Sequence, residues 1–225
     1  MEATATTFPA PAQPGRKRRI AAIATALVAL ALAIAGAVAL AGNAFRDGAG
    51  YFNTPAKTFT SGGYAIAMKS VDISDAPQWA LDAGLDSVRV KAEGDRPLFI
   101  GIARASDLQR YLRGTDHDDV SHLNYHPFQV DYDHTVGHAP SGGPKNKSFW
   151  VESSSGTGNL TLTWKPRPGN WRAVLMNADG SRGVTAQLEL GARTSLLWWL
   201  GAGLLGAALL VALVAAALRS RAQAG

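Results

Sequence analysis

Residues 160–190 read LTLTWKPRPGNWRAVLMNADGSRGVTAQLEL, and this stretch decides the fold class. Leu160, Leu162 and Trp164 alternate with Thr161 and Thr163, Trp171 to Met176 form a second apolar segment, and Val184 to Leu190 form a third. Successive strand side chains point to opposite faces, so a period of two marks a half-buried strand and not a helix. Pro168-Gly169-Asn170 and Asn177-Ala178-Asp179-Gly180 separate the three segments and are turn sequences.

The same alternation extends towards the N-terminus. Tyr64, Ile66 and Met68 alternate with small or polar residues, with Val71 and Ile73 following after a change of phase that suggests a bulge. Val88 and Val90 alternate with Arg89 and Lys91, Leu98 to Ala103 reads as a strand buried on both faces, and Phe128, Val130 and Tyr132 oppose Gln129, Asp131 and Asp133. A further strand is expected around Phe149-Trp150, over 148–152. About eight short strands between Gly-rich turns predict an all-β sandwich or jelly roll over 64–192. One short helix is expected where Ser106 and Asp107 can cap, Leu108, Tyr111 and Leu112 form an apolar face and Gly114 stops the run; it is expected to plug one end of the sandwich.

Two apolar runs bracket this domain, and 20–42 and 195–218 are read as transmembrane helices. Each exceeds the roughly 20 residues that cross a hydrocarbon core of about 30 Å. Residues 1–19 read as a disordered basic cytoplasmic tail, 43–63 as a juxtamembrane linker with Tyr51 and Phe52 at the interface, and 219–225 as a second cytoplasmic tail. Residues 43–194 carry sixteen Lys and Arg against sixteen Asp and Glu, so the net charge of +5 comes from the ends. Arg16, Lys17, Arg18 and Arg19 before the first run and Arg219 and Arg221 after the second place both termini in the cytoplasm by the positive-inside rule, with the β domain outside the cell membrane. The high pI is therefore an orientation signal, and a neutral domain offers no basic face to nucleic acid. A cleaved signal peptide is the other reading of the first run, but its length favours an uncleaved anchor. Neither run contains a charge from which an ion or proton path could be built. Small residues Ala202, Gly203, Gly206 and Ala207 offer close packing on the second helix.

The chain contains no cysteine, which removes thiol catalysis, Cys-type zinc sites and iron–sulfur clusters. Any metal would use His, Asp or Glu. All five histidines, His117, His122, His126, His134 and His138, fall within 22 residues, together with Asp118, Asp119, Asp131 and Asp133 and with Asp116 immediately before them. Imidazole and carboxylate are the ligands of zinc, nickel or copper in the absence of thiolate, so His117, Asp119 and His122 form the candidate divalent-metal set. No metalloenzyme spacing such as His-Glu-x-x-His accompanies them, and Pro127 argues against a helix there. A polar, histidine-rich strand edge without ligand, or a pH-responsive cluster, uses the same residues. Asn177 to Ser181 suits either a hairpin turn or part of a calcium loop, and the turn explains the residues more fully. Trp79, Trp150, Trp164 and Trp171 serve either as core or as a platform for a sugar ring, with core favoured because three of the four sit within alternating strands. No nucleophile elbow, phosphate loop or dinucleotide fingerprint is present, and no catalytic residue is assigned.

The segments Gly63-Tyr64-Ala65-Ile66, Pro97 through Ala103, Tyr111-Leu112, His117-Asp118-Asp119-Val120, Phe149-Trp150, Leu162-Thr163-Trp164 and Gly169-Asn170-Trp171 through Ser181 resemble a family of uncharacterised actinobacterial membrane proteins across nearly the whole chain. The resemblance implies an exported β-sandwich between two transmembrane helices and carries no activity over. The aromatic strand followed by Asn-Ala-Asp-Gly-Ser also resembles, loosely, carbohydrate-binding and pre-peptidase β sandwiches. The expected function is that of a membrane-anchored extracytoplasmic binding, sensing or accessory protein of the cell envelope, without catalysis or a cofactor, whose partners are the lipid bilayer and a membrane protein or an envelope glycan. The alternative is a metal-dependent exported activity, or metal or pH sensing, at the 117–138 histidine cluster.

Overall fold

The computed structural model describes residues 16–125 and 128–223. Most of the expected N-terminal tail and His126 lie outside the described residues. The chain divides into two units, the helices at either extremity and a β domain over Phe45–Leu196.

Among the described residues the β domain contains twelve strands where about eight are expected: the expected linker over 43–63 contributes two of them to a sheet, and the acidic, histidine-rich segment His117–Tyr125, whose polar sequence gives no alternation signal, forms a nine-residue strand inside the other. β1 (Phe52–Asn53), β2 (Lys57–Ser61), β5 (Ser87–Glu93), β10 (Leu160–Trp164) and β12 (Val184–Arg193) make one sheet in the order β1-β12-β5-β10, with β2 also on β12. β3 (Ala65–Ala67), β4 (Val71–Asp72), β6 (Leu98–Arg104), β7 (His117–Tyr125), β8 (Phe128–Thr135), β9 (Glu152–Gly156) and β11 (Asn170–Asn177) make the other, in the order β8-β7-β3-β11-β6-β9 with β4 on β11. The expected strand around Phe149-Trp150 starts later, at Glu152, and the aromatic pair precedes it.

The two sheets share one core, as a sandwich requires. Phe59, Val90, Ala92, Leu160, Leu162, Val184, Ala186 and Leu188 come from the first sheet and Ile66, Leu98, Ile100, Ile102, Val120, Trp171 and Leu175 from the second. β12 shows the cause in its sequence: Val184, Ala186 and Leu188 face in while Thr185 and Gln187 face out. β6 and β11 lack this alternation because both of their faces are covered. Their outer side chains Phe99, Ala103, Val174 and Met176 form a second cluster with Leu108, Tyr111 and Leu112 of α3 (Ala105–Leu112). Each large side chain buried there stabilises the fold by about 1.5–3 kcal/mol. α3 thus lies on a sheet face and does not plug an end, since its apolar stripe meets β6 and β11. It starts at Ala105 without a side-chain cap, and Asp107 instead pairs with Arg110 at 2.9 Å. A second short helix, α2 (Gln78–Gly84), leads into β5; its alternation-free sequence gives no strand signal.

In the helical unit, α1 spans Arg16–Ala41 and α4 spans Leu196–Gln223. Among the described residues, Leu196–Ala217 is the one helix long and apolar enough to cross a membrane, with 22 residues and a mean hydropathy of 2.4. The apolar stretch described in α1 is shorter, Leu27–Ala41. The two helices meet at Gly36 and Gly201. A methyl group on Gly36 would lie 3.0 Å from the Gly201 carbonyl oxygen, and one on Gly201 would lie 2.6 Å from Leu40 Cγ. Only glycine allows backbones this close, which gains dispersion contact where apolar lipid supplies no hydrophobic driving force. The close approach uses Gly201 and not the expected Gly203 or Gly206, around which a methyl group would meet nothing within 4 Å.

Candidate functional site

β7 joins two edges of the second sheet, running parallel to β3 with Ala65 opposite His117, and antiparallel to β8 with Asp118 opposite His134. Strand alternation sorts the acidic and histidine residues onto two sides. Asp116, Asp118 and His134 share one side; His117 and Asp119 lie on the other.

On the first side two carboxylates are buried. Asp118 accepts a 2.5 Å bond from Ser61 Oγ on Oδ2, and its Oδ1 lies 2.7 Å from His134 Nδ1. Asp116 has a side chain only 6% exposed, and its Oδ2 accepts from Arg182 Nη2. Its other oxygen, Oδ1, is buried and has no hydrogen-bond partner, with His134 Nε2 3.7 Å away. Because an ionised carboxylate only accepts, the short contact to Asp118 requires the proton on His134 Nδ1, which leaves Nε2 of a neutral ring as a second acceptor facing Asp116 Oδ1. A buried polar oxygen left without a donor costs about 1–3 kcal/mol. A proton on Nε2 converts that opposition into attraction.

Local backbone explains how Asp116 becomes enclosed. Its carbonyl accepts from Tyr64 N–H at 2.8 Å, its N–H donates to the His138 carbonyl at 3.0 Å, and Gly63 lies so close that a methyl group there would be 2.8 Å from the same Asp116 carbonyl. Arg182 is delivered by the Asn177–Ser181 turn. Asn177, buried, donates through Nδ2 to the carbonyls of Ser181 at 3.0 Å and Gly183 at 3.2 Å, while Asp179 Oδ1 accepts from Ser181 N–H at 2.9 Å. Hydrogen bonding to Ser181 holds the Asp179 carboxyl below its ordinary range. The segment therefore works as a turn, and the Arg182 guanidinium rests 5.3 Å from the Tyr64 ring centre. Tyr132, beside the cluster, has its phenol pushed up by burial.

On the opposite side, His117 Nδ1 contacts the Thr115 carbonyl at 2.7 Å and Nε2 lies 3.6 Å from Asp119 Oδ1. That carboxylate is taken by Arg172, which also donates through Nε to the Met68 carbonyl at 2.9 Å. His122 lies beyond an irregularity between Val120 and His122, opposite Asp131, and is exposed. Of the candidate metal set the fold thus brings His117 and Asp119 together and leaves His122 apart. Among the described residues no three His, Asp or Glu side chains form a group able to hold an ion. His138 contributes backbone only, in its bridge to Thr115.

Three of the four tryptophans considered as a sugar platform are structural. Trp164 and Trp171 meet edge-on at 5.6 Å, and Trp150 packs 5.1 Å from Phe99 and donates to the Pro144 carbonyl at 2.8 Å. Trp79, on α2, is exposed. Tyr51, expected at a membrane interface, is buried in the β domain with its hydroxyl 2.8 Å from Ser87 Oγ.

Sequence reasoning missed Asp116, Asp118 and His134 as one site. Continuing the register of Tyr125 opposite Phe128 would set 118 opposite 135, and only the irregularity between Val120 and His122 shifts it to place Asp118 opposite His134, a displacement the alternation pattern does not announce. The chain matches no protein-family model, and no curated protein matches it.

Proposed function

We propose that this chain is a membrane-anchored extracytoplasmic binding or sensing protein without catalytic activity, with both terminal helices in the bilayer, both termini cytoplasmic and the β-sandwich outside. The observation that supports it most is the join between β12 and α4. β12 ends at Arg193 and the membrane-crossing candidate begins at Leu196, so Thr194 and Ser195 are the whole tether. Two extended residues reach only about 7 Å. A domain held on so short a leash works at the bilayer surface, on a membrane protein or an envelope glycan. The basic residues outside both apolar runs favour the stated orientation.

The test is cysteine labelling in the otherwise cysteine-free chain. Thr157→Cys in intact cells is expected to react with a membrane-impermeant maleimide, and a cysteine placed after Arg221 is expected to react only after lysis. The reverse pattern overturns the topology. Photo-crosslinking from the β domain then identifies the partner.

A second reading, proton sensing, is favoured by the unsatisfied Asp116 Oδ1. The groups facing His134 are Asp116 and Asp118 from β7 and the segment before it, Ser61 from β2, and Arg182, whose charge is already committed to Asp116. Tyr132 is its neighbour on β8. Nitrogen-resolved NMR is expected to find the His134 ring protonated on Nδ1, and the amide signals of residues 116 and 182 are expected to move on acidification. In Asp116→Asn those movements are expected to vanish. Amides that stay still in the wild type refute the idea. The metal form of this reading needs His117, Asp119 and His122 to close on one ion; metal content of the full chain, before and after His117→Ala and His122→Ala, decides it.

A further inference from the structure

We propose that α2 docks on the outer leaflet of the chain's own membrane, with Trp79 as its interfacial anchor. This rests on the membrane-anchored reading of α4.

Both chain exits of the β domain lie at one end of it. Arg46 donates to the Thr194 carbonyl at 2.5 Å, and Phe52 of β1 pairs with Ala192 of β12. α2 is fastened to that same end at two places. Just beyond its C-terminus, Asp86 N–H donates to the Arg193 carbonyl at 2.8 Å, and its carboxylate accepts from Ser195 Oγ at 3.3 Å. Along its length, Asp82 pairs with Lys165 at 3.1 Å and Gln78 donates to the Pro166 carbonyl at 3.4 Å, just after β10 ends with Trp164 opposite Val88. Five helical steps of about 1.5 Å from Trp79 to Gly84 and two extended residues beyond keep Trp79 within about 14 Å of Asp86. From Arg193 to the start of the apolar span at Leu196 is at most about 10 Å of chain. The exit end is therefore within reach of the polar headgroup layer, itself about 5–7 Å deep on each side.

What this end exposes suits that layer. Trp79 is 74% exposed, Val71, on the neighbouring short strand, 59%, and Phe45, at the other chain exit, 81%. Water gives an indole of this exposure no apolar contact, whereas the membrane interface accepts its ring and its N–H together. Lys165 and Arg193 lie on the same rim, partly exposed, and can face lipid phosphates. A flat sugar platform would need other rings beside Trp79, but Trp150, Trp164 and Trp171 are committed to packing.

The experiment uses the full chain in phospholipid vesicles, with single cysteines carrying a fluorophore and nitroxide-labelled lipids as quenchers. Asp75→Cys reports on α2, Thr157→Cys on the opposite end and Leu205→Cys on the middle of α4. Headgroup nitroxide is expected to quench the label at 75 several-fold more than the label at 157, and adding Trp79→Ser is expected to abolish most of that difference while circular dichroism stays unchanged. Acyl-chain nitroxide is expected to quench the label at 205. Quenching at 205 with none at 75, or quenching at 75 that survives Trp79→Ser, overturns the docking role of Trp79 and leaves the anchor intact. No quenching at 205 overturns the anchor and this inference with it.

Discussion

The two ends of the sandwich are built from the same three residue types and finish differently. They are separated by the length of β12, about 30 Å for ten residues. At the end where the chain leaves towards its helices, Asp47 pairs with Arg89, whose guanidinium lies 3.9 Å from the Tyr51 ring centre. At the opposite end Asp116 pairs with Arg182, which lies over Tyr64. Asp47 is saturated: beyond Arg89 it accepts from Ala49 N–H at 3.0 Å, Tyr51 N–H at 2.9 Å and Asn53 Nδ2 at 3.1 Å. Asp116 is buried more deeply and yet keeps one oxygen unmatched. A saturated carboxylate has one good arrangement and acts as a fastening. An unsaturated one retains a gain to be made by a proton or a donor group, which is the property of a responsive site.

The largest test of this contrast removes the arginines one at a time. In Arg182→Met the buried Asp116 carboxylate loses its sole side-chain partner, and a loss of about 2–3 kcal/mol is expected, below the range for fully buried pairs because Arg182 is half exposed. Arg89→Met is expected to cost less, since Asp47 retains its three other donors and methionine keeps an apolar stem against Tyr51. Urea midpoints of the two variants give the order. If Arg89→Met proves the more damaging, the saturation of the Asp47 carboxylate does not decide the order, and the contrast is wrong.

Acid provides the next test. Arg89, then the Tyr51 N–H, then Asn53 hold the Asp47 carboxyl well below the usual carboxylate range. Its folded value is depressed, so its stabilisation is fully present above the unfolded aspartate value of about 3.9 and fades as pH falls below it towards the folded value. Stability measured between about pH 5 and 2 should therefore decline less steeply in Asp47→Asn than in the wild type. Equal slopes would mean that Asp47 is not the fastening described.

How much of this was legible in the sequence depends on how local the cause is. Strands such as Leu160–Trp164 and Val184–Leu190 and the apolar face of α3 are written in short-range periodicity, and they fold as read. β6 was legible as doubly buried because its run is continuous. The mate of that outer face, α3, is not legible as such, because sequence fixes a helix's stripe but not the surface it meets. The acid–histidine site was half visible: composition drew attention to 116–138, but pairing Asp118 with His134, and Arg182 with Asp116 across 66 positions, depends on hairpin register and on a distant turn. The exposure of Trp79 is not legible, because nothing local separates a packed indole from an exposed one.

The smallest effect belongs to a residue that neither end controls, and it tests whether the differences above are local. Tyr111 of α3 lies in the outer layer of the second sheet, between Phe149 and Trp150, and its hydroxyl donates to the Gly142 carbonyl at 3.0 Å. Burial pushes its phenol up to about 12. The unfolded phenol ionises near 10, so the folded state disfavours the phenolate, and stability from this group is lost only as pH rises above about 10. Ultraviolet titration is expected to show one tyrosine ionising near the upper limit, absent in Tyr111→Phe, and that variant should lose part of the alkaline decline while leaving the acid decline of Asp47 and the His134 proton positions unchanged. A shift in either would mean that the outer layer couples the two ends through β6 and β11, and the contrast between them would then belong to the whole sandwich and not to each cluster's own hydrogen bonds.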